Sequence, residues 1–273
     1  MNFTKMHGLG NDFIVFDDLD DLYTDYSDMA IKLCDRHFGI GGDGILIAKK
    51  SDTCQRKMLI YNSDGSEASM CGNGIRCFAK YLYDKGYENN KMSIDTLDGI
   101  KEAQLIIEKE KVKAIKVKMG KPEFRPRLIP SIINKDRIVD ETVTVDGIDY
   151  AITSMFLGVP HTIIFVEDVM DPELMDLGKK VEKSCYFPNG TNVNFVKVIN
   201  KKEYDVRTWE RGAGATLACG TGACASLVAA ALSNKCDKKA MAHLYGGDMT
   251  IEWNDDGYVF MTGPAETVFE GKI

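Results

Sequence analysis

The chain has 273 residues, of which 44% are hydrophobic and 27% charged, with a formal net charge of −7. That is an ordinary globular composition, long enough to bury a sizeable core in one large domain or two. The acidic balance offers no basic face for nucleic acid and disfavours an anionic membrane surface. No stretch approaches the ~20 apolar residues of a membrane span, and the opening MNFTKMHGLGNDF lacks an apolar leader run. A cytoplasmic protein is expected. Eight cysteines (34, 54, 71, 77, 185, 219, 224 and 236) show no CxxC spacing, and the four histidines are scattered. Zinc is therefore not expected, and most of the thiols should be reduced and buried as small core residues.

In chain order, NDFIVFD (11–17) begins strand-like. Residues 24–38 read as a helix capped by Thr24 or Ser27, with Met29, Ile31, Leu33, Cys34 and Phe38 as apolar positions. The Gly-rich turn 39–44 leads into strands at 45–48 and 57–65. Next, Cys71-Gly72-Asn73-Gly74 opens a helix whose Ile75, Phe78, Ala79 and Leu82 recur at helical spacing, with Gly86 at its end. Strand-like pieces follow near 92–97, 102–108 and 112–119. Pro122, Pro126 and Pro130 exclude a helix over 120–136 and suggest a linker. VTVDGIDYAI reads as a hairpin turning at Asp146-Gly147. SMFLGVPHTIIFV is strand-like, 171–183 a helix and NVNFVKV a strand. After YDVRTWERG a second tetrapeptide, Cys219-Gly220-Thr221-Gly222, opens a helix apolar on all sides, and the tail returns to short strands.

The two cysteines stand 148 residues apart, and the same offset aligns more than the tetrapeptides. GLGNDFIVF (8–16) lands on FLGVPHTII (156–164), GGDGILIAK (41–49) on NGTNVNFVK (189–197), and Asn62 on Glu210. The order strand, helix, strand, strand, Cys-helix occurs in both halves, which implies a duplicated domain. Each half is expected to be a curled sheet around its Cys-bearing helix, with the two Cys ends meeting at an interdomain cleft.

A thiol at a helix N-terminus feels the positive end of the macrodipole and unsatisfied N–H groups, and both should lower its pKa. The adjacent glycines let backbone N–H groups approach a carboxylate. Two such ends would grip one carboxylate and place a sulfur on each face of the neighbouring α-carbon. That is the requirement of cofactor-free racemisation: one thiolate removes the proton and the opposite thiol returns one. A cysteine protease would need one Cys with a His and gives no reason for a second. Cys77 and Cys224 lie inside the helices and read as core. Residues 39–44 spell G-x-G-x-x-G, but a helix precedes and a strand follows, the reverse of a dinucleotide fingerprint.

HGLGNDF, DRHFGIGGDG, NSDGSEASMCGNGIRC, NGTNVNF and WERGAGATLACGTGACA together resemble, in order and over essentially the whole chain, the diaminopimelate epimerase family. The resemblance implies an α+β fold of two pseudo-symmetric lobes from an internal duplication, each a curled, mostly antiparallel sheet around a central helix. Residues 1–118 with 263–273 would form the N-terminal lobe and 119–262 the C-terminal lobe. It implies interconversion of LL- and meso-diaminopimelate without pyridoxal phosphate, metal or other cofactor, in lysine and peptidoglycan precursor synthesis. Carried over by position, Cys71 and Cys219 are the acid–base pair, with His161 and Glu210 tuning the thiols. Gly72, Asn73, Gly220 and Thr221 would hold the reacting carboxylate, and Asn11, Asn62, Asn192, Glu210 and Arg211 would recognise the rest of the substrate. Arg211 suits a distal carboxylate through bidentate pairing.

Where the family usually carries Gly-Asn-Pro-His, this chain reads Gly158-Val159-Pro160-His161, so one substrate-binding amide is missing. Gly44 occupies a position that also carries Gln in the family. Two other readings remain open from the residues alone: the same chemistry on another amino acid such as histidine, or an amino-acid-binding protein using the two thiols as a redox switch. The expected partner is a small amino acid, with no nucleic acid or membrane; a homodimer is left open.

Overall fold

The computed structural model describes residues 1–273, which form two compact units, Met1–Lys118 with Thr262–Ile273, and Met119–Met261. The first unit holds β1 (Asn2–Gly8), β2 (Asn11–Asp17), α1 (Tyr26–Cys34), β3 (Gly44–Lys49), β4 (Arg56–Asn62), α2 (Gly72–Asp84), β5 (Lys91–Asp95), β6 (Lys101–Glu108) and most of β7 (Lys111–Gly120). The second holds β8 (Ile138–Val145), β9 (Ile148–Leu157), β10 (Val159–Phe165), α3 (Glu173–Glu182), β11 (Asn192–Asn200), β12 (Glu203–Glu210), β13 (Gly214–Ala215), α4 (Gly220–Leu232), β14 (Lys239–Leu244) and β15 (Gly247–Trp253). The chain then runs through β16 (Val259–Gly263) and ends in the first unit with β17 (Glu266–Lys272).

The two units repeat one topology. In the first, β17 pairs antiparallel with β1, β1 antiparallel with β2, β2 parallel with β3 and β3 antiparallel with β4, with α1 inserted before β3. In the second, β8, β9, β10, β11 and β12 follow the same senses, with α3 inserted before β11. Each sheet continues through a parallel and then an antiparallel neighbour. The 148-residue offset survives in the registers. Phe13 pairs with Gly44 and His161 with Asn192; Ile45 pairs with Tyr61 and Val193 with Trp209; Lys91 pairs with Gln104 and Lys239 with Glu252.

The register slips at one hairpin. β1 and β2 are joined by Leu9 and Gly10, both at positive φ, whereas Gly158 alone (φ 74°) joins β9 to β10. The stretch 154–166 is therefore not one strand, as its composition suggested, but two antiparallel strands around a glycine that can adopt the left-handed backbone.

Each central sheet is covered on both faces, which explains its nearly unbroken apolar strands. Ile45 and Ile47 of β3 point into a cluster with Phe3, Phe16, Tyr26 and Ala30 under α1. Leu46, on the opposite face, approaches the start of α2, where a Cβ on Gly74 would lie 3.3 Å from it. β11 does the same: Val193 and Phe195 join the core beneath α3, while Asn194 faces the start of α4. α4 is buried along Gly222–Ala230 as its composition required.

Several local expectations change. Helix α1 is shorter than 24–38 and is capped by Asp25, whose carboxylate accepts the Asp28 N–H, not by Thr24 or Ser27. Phe38 lies beyond that helix and is 94% exposed instead of packed. β4 stops at Asn62, because Ser63–Gly65 turn away. The proline-rich stretch carries no helix, Asp146 and Gly147 both take positive φ in the β8–β9 turn, and Cys77 and Cys224 are fully buried.

Candidate active site

In the first unit Cys71 is the N-cap of α2. Its backbone is extended, and its half-buried Sγ accepts the Gly74 N–H at 3.3 Å. The first-turn amides of such a helix point outward without intrahelical acceptors, so thiol and anion-binding backbone lie side by side. Asn11, at the start of β2, turns its Oδ1 to Cys71 Sγ (3.5 Å) and accepts from Asn73 Nδ2 (3.2 Å). Its Nδ2 donates to Asp43 Oδ2 at 2.8 Å. Asp43 also accepts the Asp12 N–H and the Arg36 guanidinium. Burial would raise the Asp12 carboxyl, but hydrogen bonds and charge from Arg36 and Lys5 outweigh it and hold Asp12 at about 2.

Beneath this end lies Arg76, wholly buried one turn into α2. It donates to the carbonyls of Gly72 (3.0 Å) and Pro264 (3.0 Å) and to Asn73 Oδ1 (3.1 Å). A guanidinium spends its fork of donors on fixed acceptors; here it orients Asn73, which in turn meets Asn11. Asn62 stands at the exposed end of β4, with Nδ2 on Ser66 Oγ. Gly44 pairs with Asn62, and a Cβ there would sit 2.6 Å from the Tyr61 carbonyl oxygen, so this backbone leaves no room for a side chain.

In the second unit Cys219 caps α4 in the same extended conformation and is 5% exposed. Its Sγ is 3.6 Å from Thr221 Oγ1. Glu210, at the end of β12, accepts from Thr216 Oγ1 at 2.6 Å and is hydrogen-bonded to the Cys219 thiol. Burial lifts Glu210 above the ordinary carboxylate range. Burial, with the Glu210 charge added, lifts Cys219 well above the ordinary thiol range. This corrects the expectation that the helix end lowers the pKa of both thiols. At Cys219 desolvation and a neighbouring carboxylate win, and it rests as a thiol beside that carboxylate.

Arg211 follows Glu210. Its backbone N–H donates to Asn192 Oδ1 at 2.7 Å and its Nη1 to the Asn189 carbonyl at 2.9 Å, while the head remains exposed. Gly190 has positive φ, and a Cβ on it would press on the Arg211 stem at 2.9 Å. His161 on β10 is wholly buried and pushed down to about 3 by burial and by the Arg211 charge, so it is neutral. Its Nδ1 lies 3.2 Å from Asn194 Nδ2, and its Nε2 has no hydrogen-bond partner. Val159 opens β10 and brings no amide.

The first unit thus gathers Cys71, Gly72, Asn73 and Asn11, with Asn62 at the neighbouring strand end. The second gathers Cys219, Gly220, Thr221 and Glu210, then Asn192, Arg211 and His161. Sequence reasoning missed Asp43, Arg76 and Asn194. Parity was the available signal for Asn194, since it shares a strand with Asn192 two residues away. Nothing local to Arg76 or Asp43 in the sequence reveals what they bond. No group of three His, Cys, Asp or Glu side chains is placed to hold a metal ion.

The family model described as "Diaminopimelate epimerase" matches residues 3–125 and 153–268. Diaminopimelate epimerases of Caldanaerobacter subterraneus subsp. tengcongensis and Clostridium perfringens are each 49% identical to this chain; the matches cover 100% and 99% of it, and 99% and 98% of those proteins. That of Desulfitobacterium hafniense is 46% identical over 100% of this chain and 98% of its own. Among solved structures, a PhzF-family phenazine biosynthesis protein of Bacillus anthracis superposes with a TM-score of 0.72 at 17% identity, covering 100% of this chain and 98% of that one. A hydroxyproline epimerase of Agrobacterium vitis gives 0.71 at 13% identity, covering 99% and 91%. These two share the fold, a duplicated α+β arrangement of sheets around central helices. Full-length identity near one half, with both Cys–Gly helix ends inside the matched residues, places the chain in the diaminopimelate epimerase family.

Proposed function

We propose that this chain interconverts LL- and meso-diaminopimelate in the cytoplasm, as an isomerase serving lysine and peptidoglycan precursor synthesis, and that Cys71 and Cys219 are its two bases. The activity follows from family membership at high identity along the whole chain. The observation that carries the mechanism is the pair of thiols, each capping a glycine-opened buried helix at equivalent positions of a repeated fold. An α-carbon inverts when one face loses a proton and the other gains one. Two thiols do this without an electron sink if the carbanion is stabilised by helix N–H groups on its carboxylate.

In this reading Gly72, Asn73, Gly220 and Thr221 hold the reacting carboxylate. Glu210 takes the proton of Cys219, and His161 tunes the opposite acid–base step. Asn11, Asn62, Asn192 and the exposed Arg211 head recognise the remainder of a substrate that ends in a second amino acid group. With Val159 in place of an amide, Arg211, Asn62 and Asn192 carry the distal end.

The test is α-proton exchange in deuterated water, with LL-diaminopimelate set against a panel of L-amino acids under reducing conditions. Deuterium should enter diaminopimelate alone, and Cys71→Ala and Cys219→Ala should each stop epimerisation. Faster exchange on another amino acid would overturn the substrate. Full activity in either alanine variant would overturn the two-thiol mechanism.

A further inference from the structure

Add 148 to Phe13, Leu46 and Ile60, and the result is His161, Asn194 and Thr208. All six side chains are buried. They occupy matching places in the two units, on three adjacent strands facing the Cys-bearing helix. The first unit fills them with hydrocarbon, so the fold itself needs nothing polar there. The second fills them with a hydrogen-bonded chain. Burying three polar groups where apolar ones pack is unfavourable unless each finds a partner, so the substitution calls for a role beyond packing.

The chain has a fixed polarity. Asn194 Nδ2 lies 3.3 Å from the carbonyl oxygen of Thr162, which can only accept. That edge of the amide must therefore be the NH2 group. The other edge, Oδ1, accepts from Thr208 Oγ1 at 3.0 Å. The amide cannot turn over without setting oxygen against the Thr162 carbonyl. Its remaining NH2 hydrogen points to His161 Nδ1 at 3.2 Å, which must offer a lone pair. In a neutral imidazole the proton then resides on Nε2. The position is close-packed as well, because a Cβ on Gly222, in the first turn of α4, would overlap Asn194 Oδ1.

We propose that Asn194, held by the Thr162 carbonyl and Thr208, is a positioning residue that locks His161 in its neutral Nε2–H tautomer. The buried, unpartnered Nε2 is then a fixed hydrogen-bond donor. It meets a thiolate or substrate anion by giving a hydrogen bond, and it does not act as the resting proton acceptor. The consequence for turnover rests on the epimerase reading above; the tautomer itself does not.

The test is long-range proton–nitrogen correlation on the full chain labelled in histidine, without substrate. The sequence holds only four histidines, and a His161→Phe spectrum identifies the missing one. The parent should show His161 with a bare Nδ1 and a protonated Nε2. Asn194→Asp turns the donor into an acceptor and should move the proton to Nδ1, with kcat falling about 10²-fold and an unchanged circular dichroism spectrum. Asn194→Leu installs the counterpart residue and should leave the two tautomers averaging. A parent spectrum with the proton on Nδ1, or averaged, overturns the proposal. So does an Nε2–H pattern that persists in either variant. The parent spectrum decides alone if both variants fail to fold. Loss of the epimerase assignment would show in turnover and leave these spectra unchanged.

Discussion

Asp43 Oδ2 accepts a hydrogen bond from Asn11 Nδ2 at 2.8 Å, and this contact decides which end of the Asn11 amide faces Cys71. Asp43 cannot donate, so it captures the NH2 group and leaves the carbonyl oxygen toward the thiol. Asp43→Asn is expected to release that preference and to lower kcat/KM about tenfold, the lower end of what losing an outer partner of a functional ligand removes. Steady-state kinetics on LL-diaminopimelate with a thermal melt beside them checks this. An unchanged kcat/KM would mean that the orientation of Asn11 is immaterial.

Burial raises both Glu210 and Cys219, and the Glu210 charge raises Cys219 further. Glu210→Gln removes the negative charge that helps hold the thiol up. Thiolate absorbance of Cys219 should then appear at lower pH than in the parent, while kcat should fall about 10²-fold or more, as the proposed role of Glu210 as proton acceptor requires. Retained activity would exclude Glu210 as that acceptor.

His161 lies at about 3, against about 6.5 for a free imidazole. A depressed pKa contributes stability that is present above the unfolded value and lost as pH falls through the folded one. Acidification from about 6.5 toward 3 should therefore destabilise the protein, at a limit of about 1.4 kcal/mol per pKa unit. His161→Phe, which copies the counterpart Phe13, should flatten that part of the urea-unfolding profile against pH. An acid limb as steep as the parent's would assign it to other groups.

Arg76 is buried on three carbonyl-type oxygens. Arg76→Met removes all three of those charge-assisted hydrogen bonds from a buried site and is expected to destabilise the chain by about 3 kcal/mol, or roughly 6–12 °C in Tm. Calorimetry at neutral pH reads the effect, and a shift below 2 °C would refute it.

Two glycines separate steric from conformational demand. Gly222→Ala drives a Cβ into Asn194 Oδ1 and toward Thr208 Oγ1 at 3.1 Å. It should cost about 1–3 kcal/mol and kcat as well. At Gly86 (φ +71°) a Cβ meets nothing within 4 Å. Gly86→Ala should cost about 1 kcal/mol through backbone strain alone, with kcat intact. Equal kcat values in the two variants would contradict the distinction.

The fold was unusually legible because two copies of it occur in one chain. A 148-residue offset visible in a tetrapeptide reappears as strand register from Phe13–Gly44 to Lys91–Gln104. Boundaries were less legible. The cap of α1 fell on Asp25, and the break at Gly158 was hidden inside an apolar run, because a single left-handed glycine interrupts a strand without altering its composition.

Amino-acid sequence by itself determined the two thiol-capped helices, the duplication that pairs them and the family to which the chain belongs. Each is a matter of spacing and residue type, which a linear pattern records. Tertiary structure alone decided the state of the groups around them. Cys219 is raised because burial and the Glu210 carboxylate outweigh the helix end. Asn11 and Asn194 each have a fixed amide orientation because a carboxylate or a carbonyl from elsewhere in the chain leaves only one choice. The first effect turns on desolvation and the other two on partners 30 or more residues away in sequence, as with Asn11–Asp43 and Asn194–His161, and neither quantity is written in local order.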